Sequence, residues 1–304
     1  MGDRAIGEYT GEGMAGAMTA IEIARAVKTD HYRRETLLPS IRRALQEAVR
    51  YGTLHVHAFV DVDTAAQLEG LYAVLAARAE FRGVVEVRVV AFPQDGVLRD
   101  PGAAELCEEA LRLGAEVVGG IPWIEHTQAE AGAHVEWATA LAARTGRRVA
   151  MLVDDAGDPS LHTTEMLAEA MLRHGLAGRG VACHARATAL YPRPALLRLM
   201  GLATRARLAF VSDPHTGPLA LPVDHVERTG PPVALGQDDI EDAYYPYGRH
   251  DMLEVAFLAS HLTGAPADHL IREHAAPRWV VARGRVVAET ATATTFHLPA
   301  QARE

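Results

Sequence analysis

The sequence predicts an α/β fold in which a parallel sheet curls into a (β/α) barrel. Three observations carry that expectation. Short apolar runs alternate with helical patterns from residue 54 to 262, the order that a parallel sheet flanked by helices requires. Seven such runs read as buried strands. Polar residues stand at nearly every carboxyl end of a run, where barrels and open sheets alike place their ligands.

Taken in order, residues 1–18 are rich in glycine and small side chains and read as a flexible N-terminal arm. Helical periodicity covers 20–27 and 34–51, the second closed by Gly52. The first strand, 54–61, alternates His55, His57, Phe59 and Asp61 on one face with Leu54, Val56, Ala58 and Val60 on the other. A helix over 64–80 leads to a strand over 84–92, which exits through Pro93-Gln94-Asp95-Gly96. Helix 103–113, strand 116–120 and the loop Pro122-Trp123-Ile124-Glu125-His126 follow. Helix 128–144 precedes strand 148–153, which ends in Asp154-Asp155. Helix 163–174 precedes strand 180–184, which ends in His184. Helix 193–204 leads to strand 208–211, with its exit at Ser212-Asp213-Pro214-His215. The last strand, 232–235, opens into Gly236-Gln237-Asp238-Asp239 and a tyrosine-lined loop before a helix over 248–262. Residues 279–288 read as a hairpin turning at Arg283-Gly284. The organisation expected is an arm (1–18), a barrel catalytic domain (19–275) and a C-terminal β-hairpin remnant (276–304).

Composition bounds the function. A chain of 304 residues, 49% hydrophobic and 23% charged, can bury a full core. Its net charge of −9 carries no basic block, which argues against nucleic acid as a partner. The two cysteines, Cys107 and Cys183, form no CxxC pair and fit a reducing compartment. The opening residues lack the apolar core of a signal peptide, and no window is long and apolar enough for a membrane span. A cytoplasmic enzyme or binding protein for a small molecule is the class that remains.

The strand exits collect His57, Gln94, Glu125, Asp154, Asp155, His184, His215, Asp238 and Asp239, which in a barrel face one mouth. Each alone has a plain structural explanation: a core histidine, or an aspartate capping a turn. His55-x-His57 has the spacing of a metal pair on one strand face, but reads rather as two surface histidines. Together the set reads as a polar pocket.

Three stretches make the sequence familiar: Ala91-Phe92-Pro93-Gln94-Asp95-Gly96, the run from Glu108 to Pro122, and Gly236-Gln237-Asp238-Asp239 with Tyr245-Pro246-Tyr247-Gly248. Over roughly residues 35–295 the chain resembles the cytosine deaminase branch of the amidohydrolase superfamily. The resemblance implies a (β/α)8-type TIM barrel and a divalent metal that activates water. It also implies a glutamate that shuttles protons and a histidine that polarises the oxyanion. Position by position, the family's last-strand aspartate is Asp238, its polarising histidine is His184 and its amide-binding glutamine is Gln94, with Phe92 also kept and an aromatic of the last loop at Tyr244. The departures are large. The resemblance begins past the family's first strand with its His-x-His pair, so that strand is missing or altered, and only a remnant of the small β-sandwich is expected. A metal-binding histidine falls on Leu152, the shuttle glutamate on Asp155, a second-strand histidine on Phe59, and the histidine before Asp238 on Gln237.

The expectation is therefore an amidohydrolase-like enzyme without a metal cofactor. Asp155, His184 and Asp238 would be its catalytic residues, and Phe92, Gln94, Trp123, Glu125, Asp239 and Tyr244 would contact the substrate. The chemistry would be acid–base hydrolysis, cyclisation or dehydration at a C–N or amide-like bond of a small nitrogen-containing ring or amide. A catalytically inactive paralogue that binds a ligand or partner subunit is the alternative. A further one is a metal-dependent deaminase using unusual ligands drawn from His55, His57, His184 and Asp238. Barrel edges left open by a missing strand point to a homodimer.

Overall fold

The structure is a computed structural model that describes residues 13–214, 219–238, 240, 248–263, 279–282, 285–290 and 294–296. Two helices, α1 (Gly13–His31) and α2 (Arg34–Arg50), precede the sheet. Seven parallel strands follow: β1 (His55–Asp61), β2 (Glu86–Phe92), β3 (Val117–Gly120), β4 (Arg148–Val153), β5 (Gly180–His184), β6 (Ala209–Ser212) and β7 (Val233–Leu235). Between and after them run α3 (Glu69–Glu80), α4 (Ala103–Leu113), α5 (Gln128–Thr145), α6 (Thr163–Arg173), α7 (Arg193–Ala206), α8 (Val223–Thr229) and α9 (Met252–Thr263). A separate antiparallel sheet joins β8 (Trp279–Ala282), β9 (Arg285–Thr290) and β10 (Thr294–Phe296), in the order β10-β9-β8.

Strand order in the large sheet is sequential, β1 through β7. A doubly wound sheet reverses order at a switch point; this one never does. Each right-handed crossover therefore moves the same way, the crossover helices fall on one side, and the sheet curls into a half-barrel. The expected (β/α)8-type barrel with its first strand missing or altered is thus met in part, as a half-barrel of seven strands.

Alternation along the strands sorts the core into two layers. Val87, Val89 and Ala91 of β2 and Val149, Met151 and Val153 of β4 point outward and pack with the helices. Val90, Val117 and Ala150 point inward and meet Phe59 and Val181. Phe59 stands edge-on to Phe92, ring centroids 5.4 Å apart. At Gly119 a side chain would collide with the backbone carbonyl of Ala91, so only glycine lets β3 lie this close to β2.

Several boundaries differ from expectation. α1 reaches back to Gly13, into the stretch read as a loose arm. α3 begins at Glu69 rather than near 64, because Asp63 accepts the Ala65 and Ala66 N–H groups and holds the chain in a turn there. β2 begins at Glu86 rather than 84. Among the described residues no helix is long and apolar enough to cross a membrane.

Candidate functional site

The strand exits converge as the alternation requires, but not every expected residue lies among them. His57 does not: it is the third residue of β1, exposed, and it lies with His55 toward the strand's start, at the end away from the mouth. The seven-residue length of β1 places Asp61, not His57, at its exit. His215, Asp239 and Tyr244 lie outside the described residues.

At the end of β5, His184 and Ala185 both adopt left-handed backbone (φ +64° and +46°), a conformation that costs non-glycine residues of order 1–3 kcal/mol each. Ala185 N–H is held by the carbonyls of Val153 and Cys183. This turn directs the buried His184 ring toward β4 and β7 and swings Arg186 back over Asp155. His184 Nδ1 lies 3.3 Å from Asp155 Oδ1, and Nε2 lies 3.5 Å from Asp238 Oδ2. Arg186 stands with Nε 2.7 Å from Asp155 Oδ1 and a terminal nitrogen 2.9 Å from His184 Nδ1.

That last contact fixes the proton. A guanidinium has only donors, so at 2.9 Å it needs the lone pair of Nδ1. A proton there, pointing at Asp155, would face an Arg186 N–H instead. His184 is therefore the Nε2–H tautomer, with its donor turned toward Asp238, and Asp155 is held by Arg186.

Asp213, at the exit of β6, completes the group: one donor atom each from His184, Asp213 and Asp238 lie within 4.8 Å of one another. Removal from water pushes the Asp238 carboxyl up to about 6, against the attraction of His184 and with reinforcement from Asp213 and Asp155. Its side chain is 38% exposed, so this carboxyl is open to a ligand.

Two other exit residues, Asp154 and Glu125, are committed to the scaffold. Asp154 is buried and accepts from the Thr163 and Thr164 N–H groups, the Thr163 hydroxyl and the Tyr191 hydroxyl; it caps α6 from across the chain. Glu125 accepts from the Val97, Leu98 and Arg99 N–H groups and pairs with His134 Nδ1 at 2.7 Å. Burial opposes its charge, yet these bonds hold its carboxyl below the usual range. Phe92 is buried against Phe59, and Gln94 is half-buried on the loop after β2. Trp123 is buried, and its indole N–H finds no acceptor among the described residues.

A second charged group fills the exits of β1 and β2. The buried Lys28 ammonium of α1 lies 2.5 Å from Asp63, 3.0 Å from Asp95 and 3.9 Å from Asp61. Arg25 pairs with Asp95 at 2.7 Å. Sequence reasoning missed Lys28, Asp213 and Arg186. Signals existed for two of them: Asp213 stands at the exit of the sixth strand, and Arg186 is a guanidinium two residues past an exit histidine.

The donor set that the resemblance implies is incomplete, although His184, Asp213 and Asp238 lie close enough together to hold a metal ion. Leu152 shares the inward face of β4 with Ala150 and offers no ligand. His184 carries its proton on Nε2, the nitrogen nearest the carboxylates. Arg186 already supplies a cation, whose charge is felt by Asp155, Asp213 and Asp238.

Comparison with known proteins agrees with the half-barrel fold. The chain is 28% identical over 211 residues to N-isopropylammelide isopropyl amidohydrolase of Pseudomonas sp. (strain ADP), covering 69% of this chain but only 52% of that protein. A 5-methylcytosine deaminase from Klebsiella pneumoniae, solved with 5-fluorocytosine, superposes with a TM-score of 0.77 at 28% identity, covering 86% of this chain and 65% of that one. N-isopropylammelide isopropylaminohydrolase from Burkholderia multivorans, at 23% identity and a TM-score of 0.78, supports the fold. The chain thus spans about half the length of the first of these relatives. The model of the amidohydrolase family matches residues 2–295, and the chain belongs to that family.

Proposed function

We propose that the mouth catalyses metal-independent hydrolysis at a C–N or amide-like bond of a small nitrogen-containing ring. One observation carries this reading: a histidine with a fixed tautomer stands between two carboxylates, one paired to a cation and the other, among the described residues, not. Asp238 takes a proton from water as the oxygen attacks the ring carbon. His184 Nε2–H donates to the oxygen or ring nitrogen on which negative charge gathers. Protonated Asp238 then returns its proton to the departing nitrogen, so one C–N bond breaks, one C–O bond forms and water is consumed. Asp155, considered from sequence as the proton shuttle, anchors Arg186 instead. Such acid–base work is typically worth about 10²–10⁴-fold. The ring specificity draws support from the relatives, one a 5-methylcytosine deaminase and the other an N-isopropylammelide amidohydrolase. Gln94 and Trp123 are suited to an amide edge and a ring face. A panel of aminopyrimidines and aminotriazines, run with parent and Asp238→Asn protein in the presence of a chelator, tests it. Turnover that needs added metal, or that survives in the variant, sinks it.

Leu152 in place of a ligand also favours a second reading, a binder without turnover. Saturable binding of such rings with no product from any of them would select it.

The strands β1 and β7 end the sheet on open edges among the described residues, and such edges are commonly covered. A homodimer is the assembly proposed, and a monomer mass near 32.7 kDa in light scattering would count against it.

A further inference from the structure

At the end of the sheet away from His184, the strand starts carry arginines that carboxylates do not match. Arg88 lies early in β2, Arg148 opens β4 after Arg147, and Arg179 precedes β5. Alternation puts Arg88 and Arg148 on the same inward face as Val90 and Ala150, so both reach over the floor of the half-barrel. With Arg147, Arg179 and Glu116 they line a groove of about 570 Å³.

The carboxylates nearby are few and mostly engaged. Glu116 takes Arg78 at 3.1 Å and the Val89 N–H at 2.9 Å. Glu86 stands 4.0 Å from Arg88 and 3.4 Å from His55. Arg179 donates to the Gly146 carbonyl, while Arg147 and Arg148 have no ion-pair partner among the described residues. Partial loss of solvent around the exposed His57, then the charges of Arg88 and Arg148, hold its imidazole below its ordinary value. Like charges held this close repel one another, and they do so in a chain whose net charge is −9.

We propose that this floor groove is a binding site for a small phosphate-bearing anion, separate from the mouth. Guanidinium groups present planar donor forks that match phosphate oxygens two at a time. The groove has the volume of a small-molecule site rather than of a macromolecular surface. A bound dianion would relieve the repulsion that the sheet imposes on Arg88 and Arg148.

The test is calorimetric titration of the full chain with inorganic phosphate, pyrophosphate and a nucleoside triphosphate, at about 0.15 M salt so that diffuse attraction is screened. Saturable binding of one anion per chain is expected, pyrophosphate tighter than phosphate. A nucleotide that binds tighter still would add a base contact to the same site. The double variant Arg147→Ser with Arg148→Gln, both positions being at the surface, should weaken binding by at least about tenfold, while Asp238→Asn leaves it unchanged. Circular dichroism confirms that the variants fold. No saturable binding at millimolar pyrophosphate, equal binding by the double variant, or binding only of long polyanions such as an RNA oligomer would each overturn the proposal.

Discussion

Two clusters of carboxylates sit at the same rim of the half-barrel and have opposite characters. At β1 and β2, Asp61, Asp63 and Asp95 surround Lys28, and Asp63 also accepts two backbone N–H groups. At β4 to β7, Asp155, Asp213 and Asp238 surround His184, with one guanidinium among them. The first cluster is sealed, its ammonium and its two closest carboxylates at most 3% exposed. The second leaves Asp238 open and, among the described residues, without a cation of its own. A carboxylate whose lone pairs are all occupied holds structure; one left short of donors can exchange protons.

The sharpest way to break that contrast is at His184 and Asp238. His184→Asn and Asp238→Asn should each lower turnover on any substrate found by about 10²–10⁴-fold with melting temperature little changed, whereas Asp155→Asn should lower both. Parent-like activity in all three variants, each folded, would dissolve the proposed constellation.

Stability is the matching probe of the sealed cluster. Lys28→Met strands buried carboxylates without their cation, and removing one partner of such a pair typically costs about 3–5 kcal/mol. Chemical denaturation that shows less than about 1 kcal/mol would mean that water, not Lys28, satisfies the cluster.

Arg186 tests the open cluster from the other side. Its buried, charge-assisted contacts suggest that Arg186→Gln costs about 1.5–3 kcal/mol. In nitrogen-resolved NMR of histidine-labelled protein, the parent should show an unprotonated Nδ1 at His184, and the variant should move the proton there to meet Asp155. Protonated Nδ1 in the parent would reassign the site. Elemental analysis of the parent bears on the same point: a stoichiometric divalent metal would contradict the tautomer.

The smallest effect expected is at Asp61. Burial pushes its carboxyl from 3.8 up to about 7, against Lys28 and with help from Asp63 and Asp95. An acid raised in the folded state stays protonated there while the unfolded chain ionises. Its contribution is therefore full below the unfolded pKa and is lost as pH rises toward about 7. Asp61→Asn should flatten the fall in stability across that window; an unchanged pH profile would place the titration elsewhere.

Much of this was legible in the chain. Short apolar runs such as 148–153, spaced by helical patterns, set the seven strands, and the exits pointed to Asp155, His184 and Asp238. Glu125 and Asp154 read as equals of those three because strand-end position is all that sequence offers; the donors that occupy them come from Val97, Leu98, Arg99 and Thr163, residues elsewhere in the chain. Lys28 could not be paired with Asp63 and Asp95 across separations of 35 and 67 residues.

By itself, then, the sequence determined the order of elements and which side chains could meet at the rim, because hydrophobic period and strand length are local properties. Only the tertiary structure decided which of those carboxylates are satisfied and which are not. That depends on where Lys28 and Arg186 place their charge, and a long flexible cation finds its partner by folding, not by spacing.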